Sequence, residues 1–446
     1  MAILEEFFPL KRDAIKPGPD RLQLLMQDAQ GQEALHRPSV LVVGTNGKGT
    51  TSLFLEAFLL RSRFRVGTYT SPHFVDPLER IRINGHNVDA ELALRARDIV
   101  LRWRDKHLPD ASFFEITTAI ALLCFAWTPC DIVILEAGLG GRLDSTNAAS
   151  PLLTVLTSIG LDHMDRLGHS LESIAFEKAM ATRRHRPLVS GCLNPEACLG
   201  VHRALERTGA HWIPLATTPE EPTDGDPLPP RQRNAATAWT ALKTLAVELR
   251  RHHYDRLAMQ LSETLQMFPD AEAAAAWFQT IPLPGRFDVR RWGRLDLVLD
   301  TAHNPAAAMG LVREWQHAQS DRASGAAPQS QDHQPALVFG SLKDKDYKET
   351  FRILASQCHK GLVVTFDHES SLNAKEAKDL VKEFAANRSF DIASVKELGA
   401  WLRAHEIAHE QSLPKAQAKV IITGSFALIG QVMNELQLMP VTGGGL

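Results

Sequence analysis

Gly44, Gly47 and Gly49 bracket Lys48 in the stretch VVGTNGKGTTS, and Thr50 follows directly. A glycine turn between an apolar run and a helix offers bare backbone N–H groups and a positive helix end to an anion, and Lys48 adds a charge. The Thr50 hydroxyl is of the type that reaches Mg²⁺ from such a turn. The usual spacing is G-x-x-x-x-G-K-[ST], whereas only Thr45 and Asn46 separate Gly44 from Gly47 here. Phosphate binding survives the shortening, because the cradle depends on the N–H groups of the final turn. A glycine-rich turn with an exposed lysine is the plainer alternative.

Other polar residues follow apolar runs, where the carboxyl ends of parallel strands place ligands. In the first part these are Ser71-Pro72-His73, Glu136 and Asp162-His163; in the second, Asp300 with His303, Lys343, Asp367 and Gly424-Ser425. Glu136 could bind Mg²⁺ directly or through water. Three glycines, Gly138, Gly140 and Gly141, follow it and suit close approach by a ligand. A solvated strand-end acid is the competing reading. His163 by itself is equally compatible with a hydrogen-bonded strand-end histidine. Lys178 by itself is an exposed helix lysine, since Mg²⁺ would repel its ammonium group.

These residues need elements to hold them. Short β-branched runs alternate with helical periodicity, which predicts an α/β fold of parallel units. Strands are expected in SVLVVG, RVGTYT, DIVILEAG, LLTVLTSIG and RPLVSG, then in LDLVLDTAH, PALVFGS, GLVVTFD and KVIITGS. Helices are expected at 48–61 and 89–106, and 113–127 is too short to span a bilayer and predicts a buried helix. The chain of 446 residues exceeds one ordinary core. Two prolines and a glycine in QTIPLPGRFDVR place a boundary there, giving domains 1–281 and 282–446. The polar stretch 318–335 predicts a mobile surface loop, and the tail PVTGGGL predicts disorder.

Composition excludes several classes. The net charge of −3 supplies no global positive field for nucleic acid or an anionic membrane. The clusters around Arg61 and Arg183 are local faces. Five cysteines without C-x-x-C spacing argue against disulfides or zinc and for a reduced, cytoplasmic protein. The start MAILEEFFPLKRD lacks the pattern of an export signal.

The motifs GTNGKGTT, SPH with ERIRI, ILEAGLGGRLDSTN, SIGLDHMDRLG, ESIAFEKA, RNAATA, LPGRF and DTAHNP occur in this order over Gly44 to Pro305, about three fifths of the chain. Together they resemble the bacterial folylpolyglutamate synthase/dihydrofolate synthase family of the Mur ligase superfamily. The resemblance implies a P-loop NTPase-like, mostly parallel N-terminal domain that binds ATP and pterin, and a Rossmann-like C-terminal glutamate-ligase domain. It implies an ADP-forming ligase: ATP phosphorylates a pteroate or folate carboxylate, and the amine of L-glutamate attacks the acyl phosphate. ATP and Mg²⁺ are the implied cofactors, with two ions and a monovalent cation as a further candidate. Small molecules are the implied partners of a monomer acting in folate biosynthesis and one-carbon metabolism.

Carried over residue by residue, Thr45, Asn46, Gly47, Lys48, Gly49 and Thr50 match the phosphate cradle. Thr50, Ser71, Glu136 and His163 match metal positions, and Lys178 matches a lysine carbamylated in the family. Carbamylation converts an ammonium into an anion that a second Mg²⁺ accepts, which reverses the isolated reading. Lys48, Glu136, His163 and Lys178 form the implied catalytic set. Asn234 matches an adenine-side residue, Arg286 a phosphate contact at the domain junction, and Asp300 a ribose contact. His303 and Ser425 are candidates for positioning glutamate. Phe114, Glu115, Leu143 and Asp144 match the pterin side, against core packing for Phe114 and capping for Asp144.

Two departures are visible. IKPGPDRL stands where the family often has IKLGLERI, so Pro17 and Pro19 shorten or displace the first helix. FDHESSLNAKE lacks an expected basic residue, leaving glutamate contacts open. The nearest alternative is a peptidoglycan-type UDP-muramyl amino-acid ligase, but only 43 residues precede Gly44, too few for its nucleotide-sugar domain. A P-loop switch or motor is a further alternative; it would turn over ATP without glutamate.

Overall fold

The structure, a computed structural model, describes residues 18–215, 228–320, 334–412 and 418–438. The expectations for the N-terminal start, for Pro17, for the tail and for most of the 318–335 loop fall outside these residues. Ala318 to Ser320 instead end the helix Pro305–Ser320. The chain divides into two compact units after Ile281.

The first unit is built on eight strands: β1 Ser39–Val43, β2 Val66–Tyr69, β3 Ile81–Ile83, β4 His86–Asn87, β5 Ile132–Glu136, β6 Leu153–Leu156, β7 Pro187–Ser190 and β8 His211–Pro214. Their order is β4-β3-β2-β5-β1-β6-β7-β8, with only the β2–β3 and β3–β4 pairs antiparallel. β1 is buried at every residue and reads SVLVV, as expected for a strand covered on both faces. Its neighbours are β5, with Val42 opposite Glu136, and β6, with Val43 opposite Leu156. Three parallel strands therefore end side by side at one edge, and the glycine turn leaves from the middle one.

The helix Phe113–Trp127 buries most of its length against this sheet. A Cβ added at Gly67 of β2 would stand 2.6 Å from the Phe125 ring, so the bare glycine lets the helix seat closely. Asp89 caps the helix Ala90–His107 by accepting from the Glu91 and Leu92 amides. Among the described residues the first helix is Pro19–Leu25, with Pro19 at its opening position.

The second unit has six strands: β9 Asp288–Trp292, β10 Leu295–Leu299, β11 Ala336–Phe339, β12 Lys360–Thr365, β13 Ser389–Ser394 and β14 Lys419–Thr423. Their order is β13-β12-β11-β14-β10-β9, and all pairs but β9–β10 are parallel. Phe339, Phe351, Leu354, Val363 and Leu380 lie in its own buried core.

Candidate functional site

The glycine turn is held from the neighbouring strand. The Thr45 amide donates to the Ser158 carbonyl at 2.8 Å, and the Asn46 amide donates to Ser158 Oγ at 3.1 Å. The amides of Thr45 and Asn46 thus anchor the turn, which narrows the expected phosphate cradle to Gly47–Thr50. Gly47 has φ 85° and caps the helix Lys48–Arg61, whose first-turn N–H groups have no carbonyl within the helix to bond. Any side chain at Gly47 would strain this backbone. It would also collide with Asn234, whose Oδ1 lies 2.5 Å from an added Cβ.

Two lysines meet at one carbonyl. Lys48 Nζ donates to the carbonyls of Gly44 and Thr45, both at 3.1 Å, and Lys178 Nζ donates to that of Gly44 at 2.9 Å. Lys178 is 4% exposed, which overturns its isolated reading as an exposed helix lysine. Burial first, and Lys48 second, lower its pKa to about 7, against the opposing pull of Asp162 and Asp144. Its helix, Leu171–Ala179, is seated by Gly141, where an added Cβ would meet the Lys178 carbonyl at 2.7 Å.

Glu136 ends β5 at 2% exposure and accepts from the Ser71 amide at 3.2 Å. Thr50 lies in the first helical turn and is buried as a residue. His163, at φ 51°, caps the turn Met164–Leu167; its ring is 43% exposed with Nε2 3.8 Å from Asp162. Among the described residues no group of three His, Cys, Asp or Glu could hold a metal. Hydroxyls and a single carboxylate are the sparse oxygen set that Mg²⁺ uses when phosphates and water complete its shell. The donor types fit Mg²⁺.

Asn234, on the helix Pro230–Arg251, is 4% exposed, and its Oδ1 has no hydrogen-bond donor among the described residues. A buried acceptor left unmatched is costly, so a ligand amine or amide would relieve it. The Phe114 ring lies 5.9 Å from that of Tyr69 and covers Gly138, where an added Cβ would stand 2.7 Å from the ring. Leu143 is 37% exposed. Asp144 is buried and accepts from the Leu139 and Thr146 amides, both at 2.9 Å. Burial raises its pKa, and those amides oppose the rise. Capping is therefore what its side chain does. Glu115 closes a capping box with Ser112 and pairs with Arg21 Nε at 2.7 Å, so its oxygens tie two helices together.

Sequence reasoning missed Thr157, Ser158 and Arg80. The first two sit just past β6, within a run taken to continue to Gly160. Their hydroxyls directly after an apolar run were the available signal. Arg80 is buried, donates from Nε to His73 Nδ1 at 2.9 Å and lies 5.2 Å from the Phe113 ring. Burial, then Arg80, lowers the His73 pKa to about 3, so this imidazole is neutral.

In the second unit the expected residues gather around Phe426. The Arg286 guanidinium lies 5.7 Å from its ring and the His303 ring 6.0 Å away. Ser425 caps the helix Phe426–Glu435 through the Ala427 amide at 3.1 Å. Asp300, just past β10, accepts from the Phe287 and Ala302 amides, both at 2.8 Å. Burial raises it to about 6, although both amides and Arg286 pull the other way. Lys343 pairs with Glu376 at 3.0 Å, and the Asp367 amide donates to Gln431 at 3.0 Å.

No family model matches the chain. Among solved structures, Escherichia coli FolC in complex with DHPP and ADP superposes with a TM-score of 0.74 at 27% identity, covering 98% of this chain and 97% of that one. A bifunctional folylpolyglutamate synthase/dihydrofolate synthase with Mn, AMPPNP and L-glutamate bound gives 0.72 at 28% identity, over 97% of each chain. Among curated proteins, the Escherichia coli dihydrofolate synthase/folylpolyglutamate synthase is 32% identical over 89% of this chain and 86% of its own length. The Bacillus subtilis protein of the same name is 30% identical over 95% of this chain and 96% of its own. Identity of this extent, along nearly the whole length of both chains, means that the chain belongs to the dihydrofolate synthase/folylpolyglutamate synthase family.

Proposed function

We propose that the chain is an ATP-dependent, ADP-forming ligase that joins L-glutamate to both dihydropteroate and reduced folates. One observation carries the reading: Lys48 and Lys178 converge on the Gly44 carbonyl at the mouth of the glycine turn. Lys48 and a fan of helix N–H groups, concentrated at one strand edge, suit a polyphosphate. Lys48 and the amides of Gly47 to Thr50 hold the β- and γ-phosphates and stabilise the charge that shifts onto them. Thr50, Ser71 and Glu136, joined by His163, would hold Mg²⁺, which when bound neutralises phosphate charge as a second anion approaches.

The pterin-linked carboxylate attacks the γ-phosphoryl group, and ADP leaves. The α-amine of glutamate then attacks the acyl carbon, gives up a proton and expels phosphate, leaving an amide. The neutral amine of Lys178 adds to CO₂ and gives up a proton to solvent, leaving a carbamate; its lowered pKa supports this, because the neutral amine is the reacting form. The unmatched Asn234 Oδ1 supports an adenine-side role, with Arg286 and Asp300 on phosphate and ribose. Phe114 and Leu143 face the pterin, while Glu115 and Asp144 hold the backbone around it. His303 and Ser425 position glutamate. Residues 1–281 form the ATP- and pterin-binding domain and 282–446 the glutamate-ligase domain, which also supplies Arg286 and Asp300, in a cytoplasmic monomer. No helix among the described residues is long and apolar enough to cross a membrane.

The test is ADP formation by purified protein with ATP and Mg²⁺. It is expected only when glutamate and a pterin acid are both present, with product masses showing one added glutamate on dihydropteroate and further ones on reduced folates. Turnover independent of glutamate would overturn the reading.

A further inference from the structure

We infer that Ser158, seconded by Thr157, is the positioning residue that lets a phosphate turn two residues short of the usual spacing keep its shape. The inference rests on the nucleotide reading above. A loop with only Thr45 and Asn46 between its first two glycines is too short to brace itself, and the bracing comes from the end of β6. Ser158 Oγ accepts from the Asn46 amide at 3.1 Å and donates to the Asn46 carbonyl at 2.9 Å. One hydroxyl therefore engages both polar groups of one residue, which its single donor and two lone pairs allow.

The Thr157 hydroxyl donates to the same Asn46 carbonyl at 2.7 Å. Thr45 completes the seam: its amide bonds the Ser158 carbonyl at 2.8 Å, and its hydroxyl donates to the Gly160 carbonyl and accepts from the Gly160 amide, each at 3.1 Å. The approach is tight enough that a Cβ on Gly44 would lie 2.0 Å from Thr157 Oγ1. Asn46 is the residue from which the chain enters Gly47 at φ 85°. Fixing the peptide groups on both sides of Asn46 fixes the direction of the Gly47–Thr50 amides. Ser158 acts on the phosphates through Asn46, without touching them.

The experiment compares Ser158→Ala, Ser158→Thr and Thr157→Val with the parent protein by ADP calorimetry and by separate KM values for ATP and glutamate. Ser158→Ala is expected to weaken ADP binding and raise the KM for ATP by about tenfold, the loss of one or two buried hydrogen bonds. The KM for glutamate should stay within about twofold. Ser158→Thr, which keeps the hydroxyl, should restore ADP affinity, and Thr157→Val should weaken it less than Ser158→Ala. ADP affinity in Ser158→Ala within about twofold of the parent, or an equal loss for glutamate, overturns the clamp alone. Failure of the parent to bind ADP overturns the nucleotide reading and the clamp with it.

Discussion

Lys178 is the residue at which folding and chemistry pull in opposite directions. Its amine, lowered to about 7 chiefly by burial, stays largely neutral in the folded protein above that pH, while the unfolded chain protonates it up to the ordinary 10.5. Between pH 7 and 10.5 the unfolded state binds the extra proton, so this group's destabilisation is complete below 7 and fades as pH rises. Lys178→Met is thus expected to be more stable than the parent in CO₂-free buffer at pH 6.5, with the gain shrinking towards pH 10. Urea melts across that range check it, and ligase activity should fall by about 10²-fold or more. Lys48→Ala should lose a similar factor in kcat/KM and let the Lys178 pKa climb, since a like charge is removed. Asp300 gives a second profile. Its carboxylate, the proposed ribose contact, is raised to about 6 and is the stronger acceptor when ionised. The KM for ATP should therefore climb as pH falls below 6, and Asp300→Asn should flatten that limb.

The helix Phe113–Trp127 shows how much one element depends on its first turn. Ser112 accepts from the Glu115 amide, Glu115 accepts from the Ser112 amide, and Arg21 then clips the carboxylate at 2.7 Å. Ser112→Ala is expected to cost about 1 kcal/mol by urea denaturation, as lost caps do, with the KM for ATP unchanged. This helix was legible in the sequence, as were β1, β5 and β6, because strands and helices buried on all sides are written in continuous apolar residues. β8 (HWIP), β9 (DVRRW) and β13 (SFDIAS) were not; they lie at or beside sheet edges, half in solvent, where charged and polar residues are tolerated. In the candidate site, the placement of Gly47 to Thr50 at a helix start and of Glu136 at a strand end was readable because those signals are local. Lys178 was misread as exposed because its burial comes from Gly141 and Gly44, far away in the chain. Ser158 was passed over because LLTVLTSIG looks like one strand, yet β6 stops at Leu156 and frees the hydroxyls to turn towards the glycine loop.

At the scale of the whole molecule, each unit carries its own sheet and its own buried core. The candidate site residues divide along the same line. Lys48, Glu136, Lys178 and Asn234 precede Ile281; Arg286, Asp300, His303 and Ser425 follow it. Burial scales with size, and a stretch of about 160 residues with six strands is large enough to hold a core alone. A protein cut to residues 282–446 is accordingly expected to unfold in one cooperative transition and to show no ADP binding by calorimetry. The complementary piece, 1–281, keeps the glycine turn with its clamp and both lysines. It should bind ADP weakly, by about tenfold or more below the intact chain, because two of the proposed nucleotide contacts are gone. It should form no amide even with saturating glutamate, since the residues proposed to position the attacking amine lie in the other piece. Amide formation by 1–281 alone would remove His303 and Ser425 from the mechanism and leave it to the residues of this piece, Lys48, Glu136, His163 and Lys178 among them.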